Sequence, residues 1–352
     1  MDFNKFVNEL KENIKLYLPE NYENAEVALI EYQKLNEAYT GLTVRKDGQA
    51  IAPAINLNNL YDFYQTHPYI SMSTMFQEVA GVITDATVPV DPVNVYDILK
   101  YENVKDKLFI RVSSAEKNKE MLSDVPHQLN EDLAITYHIV IAKDRDGLST
   151  MLVTNDLMEK YGVTSEQLHE DAMKSCSKVM KPQIYSMGSK LSEMVEKISM
   201  MLSPQEKEAM RQMVEDMPFK DTFIIMTNDQ SVDGAGVIFY PEVMENMGYM
   251  LDSNFFILPS SVHETLILID DGDFDVEGLK EMVTEINATQ VLPQDRLTDE
   301  VYHYDTKDHV FEKADRFVER QKEKEAQVAK TEKVGKEQPD QKPKTKKHDM
   351  EL

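Results

Sequence analysis

Between Phe255 and Asp275 the chain reads FFILPSSVHETLILIDDGDFD, its densest gathering of side chains able to do chemistry. A Pro-Ser-Ser turn and the pair His263-Glu264 lie between two apolar strands, and an acidic run follows. A His beside a Glu suggests zinc hydrolysis, where two His four apart on a helix flank a Glu and present both ligands on one face. Position 267 is Ile, however, and VHETLILI alternates as a strand. Neighbouring strand residues point to opposite faces, so His263 and Glu264 are expected to diverge. Two readings stay open. One is a hydrolase in which His263 and Glu264 work with Ser260 or Ser261 as nucleophile or positioning group. The other is a strand-entry His263 whose ring bonds to the Ser260-Ser261 turn.

Asp271, Asp273, Asp275 and Glu277 alternate as calcium ligands would. An EF-hand counted from Asp271 needs Gly at its sixth position and Glu at its twelfth; here these are Val276 and Met282. The acidic run suits instead the start of a helix over about 276–287, where a carboxylate caps free N–H groups. His127 follows Pro126, with Asp132 and His138 close behind, but no G-x-S-x-G supplies a nucleophile. Phosphate-binding glycine loops are absent too, so no cofactor is expected. Cys176, the single cysteine, sits in an amphipathic stretch with His169 two helical turns back. It reads as a small core residue in a reducing cytoplasm.

The positioning elements follow from periodicity. Phe3, Phe6, Val7, Leu10, Ile14 and Leu18 predict an opening amphipathic helix. VALIEYQKL and YTGLTVRK predict a hairpin, and Asn56 caps a predicted helix over 57–66, with another over 74–84. The grammar of strand, Asp-Gly turn, strand and helix recurs after ITYHIVIAK at Asp146-Gly147, and again after DTFIIMTND at Asp233-Gly234, where AGVIFY is the predicted second strand. This is read as a weak internal repeat. Residues 189–217 form a helical hairpin around Ser203-Pro204 in which Met194, Met201, Met210 and Met213 recur at helical spacing. Such flexible thioethers suit a protein partner's groove, or the hairpin packs on its own sheet.

Lys and Arg total 38 against 63 Asp and Glu, a net charge of −25, which opposes nucleic acid and anionic membranes. No stretch approaches the ~18 apolar residues of a membrane span. The charge lies in residues 1–311, because 312–352 carry 12 Lys or Arg and 10 Asp or Glu. That tail reads as an exposed helix with i,i+4 ion pairs, then a disordered Lys-rich end.

Three stretches, LFIRVSSAEKNKEMLSDVPHQLNEDLAITYHIV, MLVTNDLMEKYGVTSEQLHEDAMKS and NFFILPSSVHETLILIDD, together resemble an uncharacterised Firmicutes family, domain of unknown function number 5688, over about residues 1–290. The signature Pro259, Ser260, Ser261, His263 and Glu264 carries the resemblance. Asn118, Leu122, Pro126, His127, Asp132, Leu133 and Ala134 are similar to the pattern of a second such family. The resemblance implies a link to mobile elements but no activity; a family site would fall on His263, Glu264, Ser260 and Ser261, with His127.

The expectation is an α+β protein with mixed, largely antiparallel sheets built from β-hairpin–helix units. Its regions are 1–90, 91–188, the Met-rich hairpin 189–217, 218–311 and the tail 312–352. The expected role is a non-catalytic cytoplasmic factor binding a protein partner, the alternative being the hydrolase above.

Overall fold

The computed structural model describes residues 1–34, 36–49, 52–85, 95–143, 148–198, 202–217, 221–259 and 261–336. The predicted Asp146-Gly147 turn, Met201, Ser260 and the end of the tail lie outside these residues. The fold is α+β with antiparallel sheets throughout.

Helix α1 (Phe3–Asn13) starts at Asp2, whose carboxylate accepts from the Lys5 N–H at 3.0 Å. It buries Phe6, Val7 and Leu10 against a three-stranded sheet of β1 (Glu26–Lys34), β2 (Glu37–Arg45) and β3 (Ala54–Asn56). The Asn56 side chain caps α2 (Leu57–Thr66), accepting from the Asn59 N–H at 3.1 Å; α3 (Met72–Asp85) closes this apolar cluster. Local chemistry sets each of these starts, because a capping oxygen satisfies an otherwise orphaned N–H.

In chain order two one-turn helices, α4 (Val95–Ile98) and α5 (Tyr101–Val104), precede β4 (Leu108–Ser114) and a third, α6 (Lys119–Leu122), follows it. The second sheet places β4 on one side of the long β6 (Leu133–Lys143). On the other side lie β5 (His127–Asn130) and β7 (Leu148–Leu152). Helices α7 (Asn155–Tyr161) and α8 (Ser165–Val179) follow. Leu168, Ala172 and Cys176 of α8 join Leu108, Ile110 and Tyr137 in the largest core.

The third sheet runs β13-β12-β10-β11-β9-β8. Its strands are β8 (Pro182–Ser186), β9 (Phe223–Asn228), β10 (Phe255–Leu258), β11 (Thr265–Ile269), β12 (Tyr302–Asp305) and β13 (Val310–Lys313). The unbroken apolar run FFIL is explained by burial on both faces. Phe255 and Ile257 enter the large core, whereas Phe256 and Leu258 meet Leu279 and Val283 of a helix over 276–289 in a second cluster. Each such side chain contributes about 1.5–3 kcal/mol on burial.

The Met-rich segment forms α9 (Met187–Ile198) and α10 (Pro204–Glu215), which pack on each other, α9 also touching β8 and β9. Ser203 and Glu206 make the capping box at the start of α10. Among these helices only Val195 is buried; Met210 is half-buried, and Met194 and Met213 are 50% and 67% exposed.

The third predicted hairpin does not form. AGVIFY is no strand: Gly234–Phe239 is a 3-10 helix leading to α11 (Val243–Leu251). The cause is close packing. A Cβ at Gly234 would strike Thr227, Asn228 and the His263 carbonyl, and one at Gly236 would lie 3.0 Å from the Ile110 carbonyl oxygen. The glycines let this backbone lie flat on β4 and β9 rather than pair as a strand.

Helix α12 (Val276–Thr289) begins, as the acidic run foretells, with the Asp275 carboxylate accepting from the Gly278 N–H at 3.2 Å. Helix α13 (Ala314–Lys336) differs from the reading of a helix held by its own i,i+4 pairs. Arg320 reaches Asp305 at 2.9 Å, Asp308 at 2.5 Å and Glu312 at 2.6 Å, while Phe317 stacks on buried His303. Tertiary partners therefore hold its first turns.

Candidate functional site

Strand register gathers polar side chains on one face of the second sheet. Arg111 lies opposite Thr136, His138 opposite Leu152, and Val140 opposite Thr150. Because alternate strand residues share a face, Arg111, Thr136, His138 and Thr150 form one patch, while Ile110, Ile135 and Tyr137 enter the core behind it. The patch floors a cavity of about 620 Å³. Gln33 and Glu37, from the β1–β2 hairpin, line one side; Asp233, Val262, His263, Gln294 and Asp295 line another.

The hairpin tip is fastened to this enclosure. Asn36, in the left-handed region at φ 59°, donates its backbone N–H to Asn118 Oδ1 at 2.6 Å and accepts from Asn118 Nδ2 at 2.7 Å. Its own Nδ2 donates to the carbonyls of Gln294 and Arg296 at 3.0 and 2.8 Å. Asn tolerates this backbone conformation, and its amide supplies both a donor and an acceptor to the neighbouring elements.

Within the cavity wall the charged groups form a chain. Arg111 Nη2 lies 2.6 Å from Asp233 Oδ2 and donates to Thr150 Oγ1 at 3.0 Å. The Asp233 backbone N–H donates to His263 Nδ1 at 3.1 Å, and His263 Nε2 lies 3.3 Å from Asp295 Oδ1. A backbone N–H can only donate, so Nδ1 is the acceptor and the ring proton sits on Nε2, facing Asp295. The loops are tied together by main-chain bonds from Val262 N–H to the Asp295 carbonyl at 2.8 Å and from Ala235 N–H to the Val262 carbonyl at 3.1 Å.

Burial tunes these groups. It raises the Asp233 carboxyl above the usual carboxylate value, against the opposing pull of Arg111. It lowers Arg111 despite Asp233. His138 is pushed well below 6.5 by burial, with Arg111 adding to the effect. The imidazole on the cavity floor is therefore uncharged near pH 7.

The predicted site residues separate. His263 lies in a bend, because β11 begins only at Thr265; it lines the cavity. Glu264 is not among the lining residues. The ring of His263 engages Asp233 and Asp295, while Ser261 Oγ accepts from the His263 backbone N–H at 3.0 Å. His127 stays on β5, its Nδ1 2.9 Å from the Val125 carbonyl, and is not among the lining residues either. His169 pairs with Tyr137 at 3.0 Å rather than with Cys176, whose thiol burial pushes up to about 11. Arg111, Asp233 and Asp295 are residues that sequence reasoning passed over as a site, and His138 was weighed only beside His127 and Asp132. The available signal was polar residues at alternate positions inside otherwise apolar strands, in LFIRVSS and LAITYHIV.

Glu264 gives a direct prediction. Burial raises its carboxyl, which His263 and Lys190 only partly offset. A raised carboxyl makes the folded state hold its proton longer, so stability falls as pH rises from the unfolded value through the folded one. Glu264→Gln is expected to raise the melting temperature at pH 7 and to flatten this acid-side slope; a lower melting temperature at pH 7 refutes it.

Among the described residues no group of three or more His, Cys, Asp or Glu side chains is placed to hold a metal ion, and no helix is long and apolar enough to cross a membrane. No curated protein and no solved structure matches the chain. The sequence does match a family model over residues 3–306, most of its length, and the chain belongs to that family, described as Family of unknown function (DUF5688).

Proposed function

We propose that this protein works by binding rather than by turning over a substrate, as an accessory factor whose recognition site is the cavity beneath the β1–β2 hairpin tip. The engagement of the His263 ring carries the reading. In a Ser-His-Asp arrangement one imidazole nitrogen faces the carboxylate and the other must be free to take a proton from the nucleophile. Here Asp295 lies at one nitrogen, and the Asp233 N–H fills the other. Ser261 meets the main chain of His263 and not its ring. What remains is a polar enclosure of a size suited to a small ligand or the end of a side chain. The exposed thioethers of Met194 and Met213 offer a second surface for a protein partner, and a cytoplasmic setting fits the lone buried Cys176.

The His263–Asp295 pair favours one competitor, the hydrolase. Chromogenic ester, amide, phosphoester and glycoside substrates separate the two. The binding reading expects no turnover beyond that of the His263→Ala variant. Hydrolysis by the wild type that disappears in His263→Ala overturns it.

A further inference from the structure

We infer that the cavity takes a small ligand group that pairs an ammonium or guanidinium with a neighbouring acceptor oxygen; this rests on the binding reading above. Charge is the first argument. Among the described residues, three carboxylates, Glu37, Asp233 and Asp295, line the cavity with one guanidinium, that of Arg111. Asp233 already answers Arg111 at 2.6 Å. Glu37 accepts from the Asn56 side-chain amide at 2.8 Å, and the Asp295 carboxylate faces the His263 ring, which carries one proton. Among the described residues, neither carboxylate is paired with a Lys or Arg. They flank the same joint, since the Asn36 side chain is bonded to the carbonyls on either side of Asp295. An anionic ligand would meet two unmatched like charges here; a cationic one would relieve both.

The second argument is an unused polar group at the wall. Arg111 Nε is buried and has no hydrogen-bond partner among the described residues, whereas Nη2 is taken by Asp233 and Thr150. Buried polar atoms are nearly always paired, so this idle donor marks a place for a ligand atom, and an acceptor oxygen on the ligand would satisfy it. His138, only 7% exposed, also lines the cavity, its Nε2 in contact with Thr136 Oγ1 at 3.2 Å.

The third argument is size. A cavity of about 620 Å³ is far larger than a bare ion needs, and no metal-holding group of side chains is found among the described residues. The positive group therefore belongs to an organic molecule, either free or at the end of a basic peptide side chain.

The test is calorimetry on the full chain at near-physiological salt. The probes are Nα-acetyl-lysinamide, Nα-acetyl-argininamide, the uncharged Nα-acetyl-norleucinamide, succinate and inorganic phosphate. Both cationic probes are expected to bind at least about tenfold more tightly than the norleucine analogue. Asp295→Asn and Glu37→Gln are each expected to weaken the cationic probes by about tenfold, with far-ultraviolet circular dichroism confirming that the variants fold. Asp271→Asn, in the exposed acidic turn, should leave affinity unchanged. A capped Gly-Lys-Gly peptide separates the sources: tighter binding than the single residue assigns the group to a peptide, weaker binding to a free small molecule. Equal binding of the norleucine analogue, or indifference to both carboxylate substitutions, overturns the inference. Succinate or phosphate binding that is lost in Arg111→Met overturns the charge class while leaving the cavity as a recognition site. Turnover abolished by His263→Ala is the separate result that removes the binding reading itself.

Discussion

Arg111→Met is expected to cost about 3 kcal/mol at pH 7, within the range for breaking a largely buried ion pair by deleting one partner. Methionine keeps much of the apolar stem but removes the charge that faces Asp233 at 2.6 Å, and both side chains are mostly buried. Asp233 would then stand in a desolvated site with no guanidinium beside it. The loss should depend on pH, with a definite sign. Burial already places the Asp233 carboxyl above the ordinary carboxylate value of 3.8, and removing Arg111 moves it further up. The folded state then holds the proton over a wider window, so stability falls as pH rises from about 3.8 through the new folded value. The deficit of the variant is smallest in acid and complete at neutral pH. Adding Asp233→Asn should recover most of it, because the orphaned charge is gone. Urea denaturation of the single and double variants at pH 4.5 and 7 measures this. A deficit that does not vary with pH, or a double variant weaker than Arg111→Met, would show that the pair is not electrostatically coupled.

Gly234→Ala should be nearly as damaging, at about 3 kcal/mol, the upper end of ordinary overpacking. Its new methyl would strike the Thr227 hydroxyl, the Asn228 amide nitrogen and the His263 carbonyl. Two of these are main-chain atoms and cannot swing aside. The carbonyl is also the acceptor of the Thr227 hydroxyl at 2.7 Å, so relieving the clash breaks that bond and shifts His263 away from Asp233. Gly81 in α3 is the control, since a methyl there meets nothing within 4 Å and Ala is the better helix former. Gly81→Ala should gain up to about 1 kcal/mol. Thermal melts of the two variants therefore move in opposite directions; a Gly234→Ala protein as stable as wild type would mean that the close approach at this turn is not required.

Legibility in the sequence follows the distance over which each feature is decided. The caps at Asn56 and in the acidic run at Asp275 stand where the residue pattern places them, because a cap is settled within one helical turn. The hairpin of β1 and β2 was readable for the same reason, as was the apolar strand FFIL, whereas its burial on both faces came from the packing. AGVIFY misled because its β-branched and aromatic residues suit a strand while its glycines allow a packing that no local pattern encodes. His263 and Glu264 misled in a milder way. They do diverge, but from a bend before the strand rather than along it.

The amino-acid order, read alone, was enough to set the class of fold, the starts of several helices and the acidic balance of charge. These depend on residue spacing, on capping groups and on summed charge, all of which act over a few positions or over none in particular. The cavity had to wait for folding. Arg111, Asp233, His263 and Asp295 come from well-separated parts of the chain, and Asn36 joins the hairpin tip to the same enclosure. Hydrogen bonds and ion pairs act over about 3 Å, so only the packing of the sheets and loops decides which polar residues become neighbours.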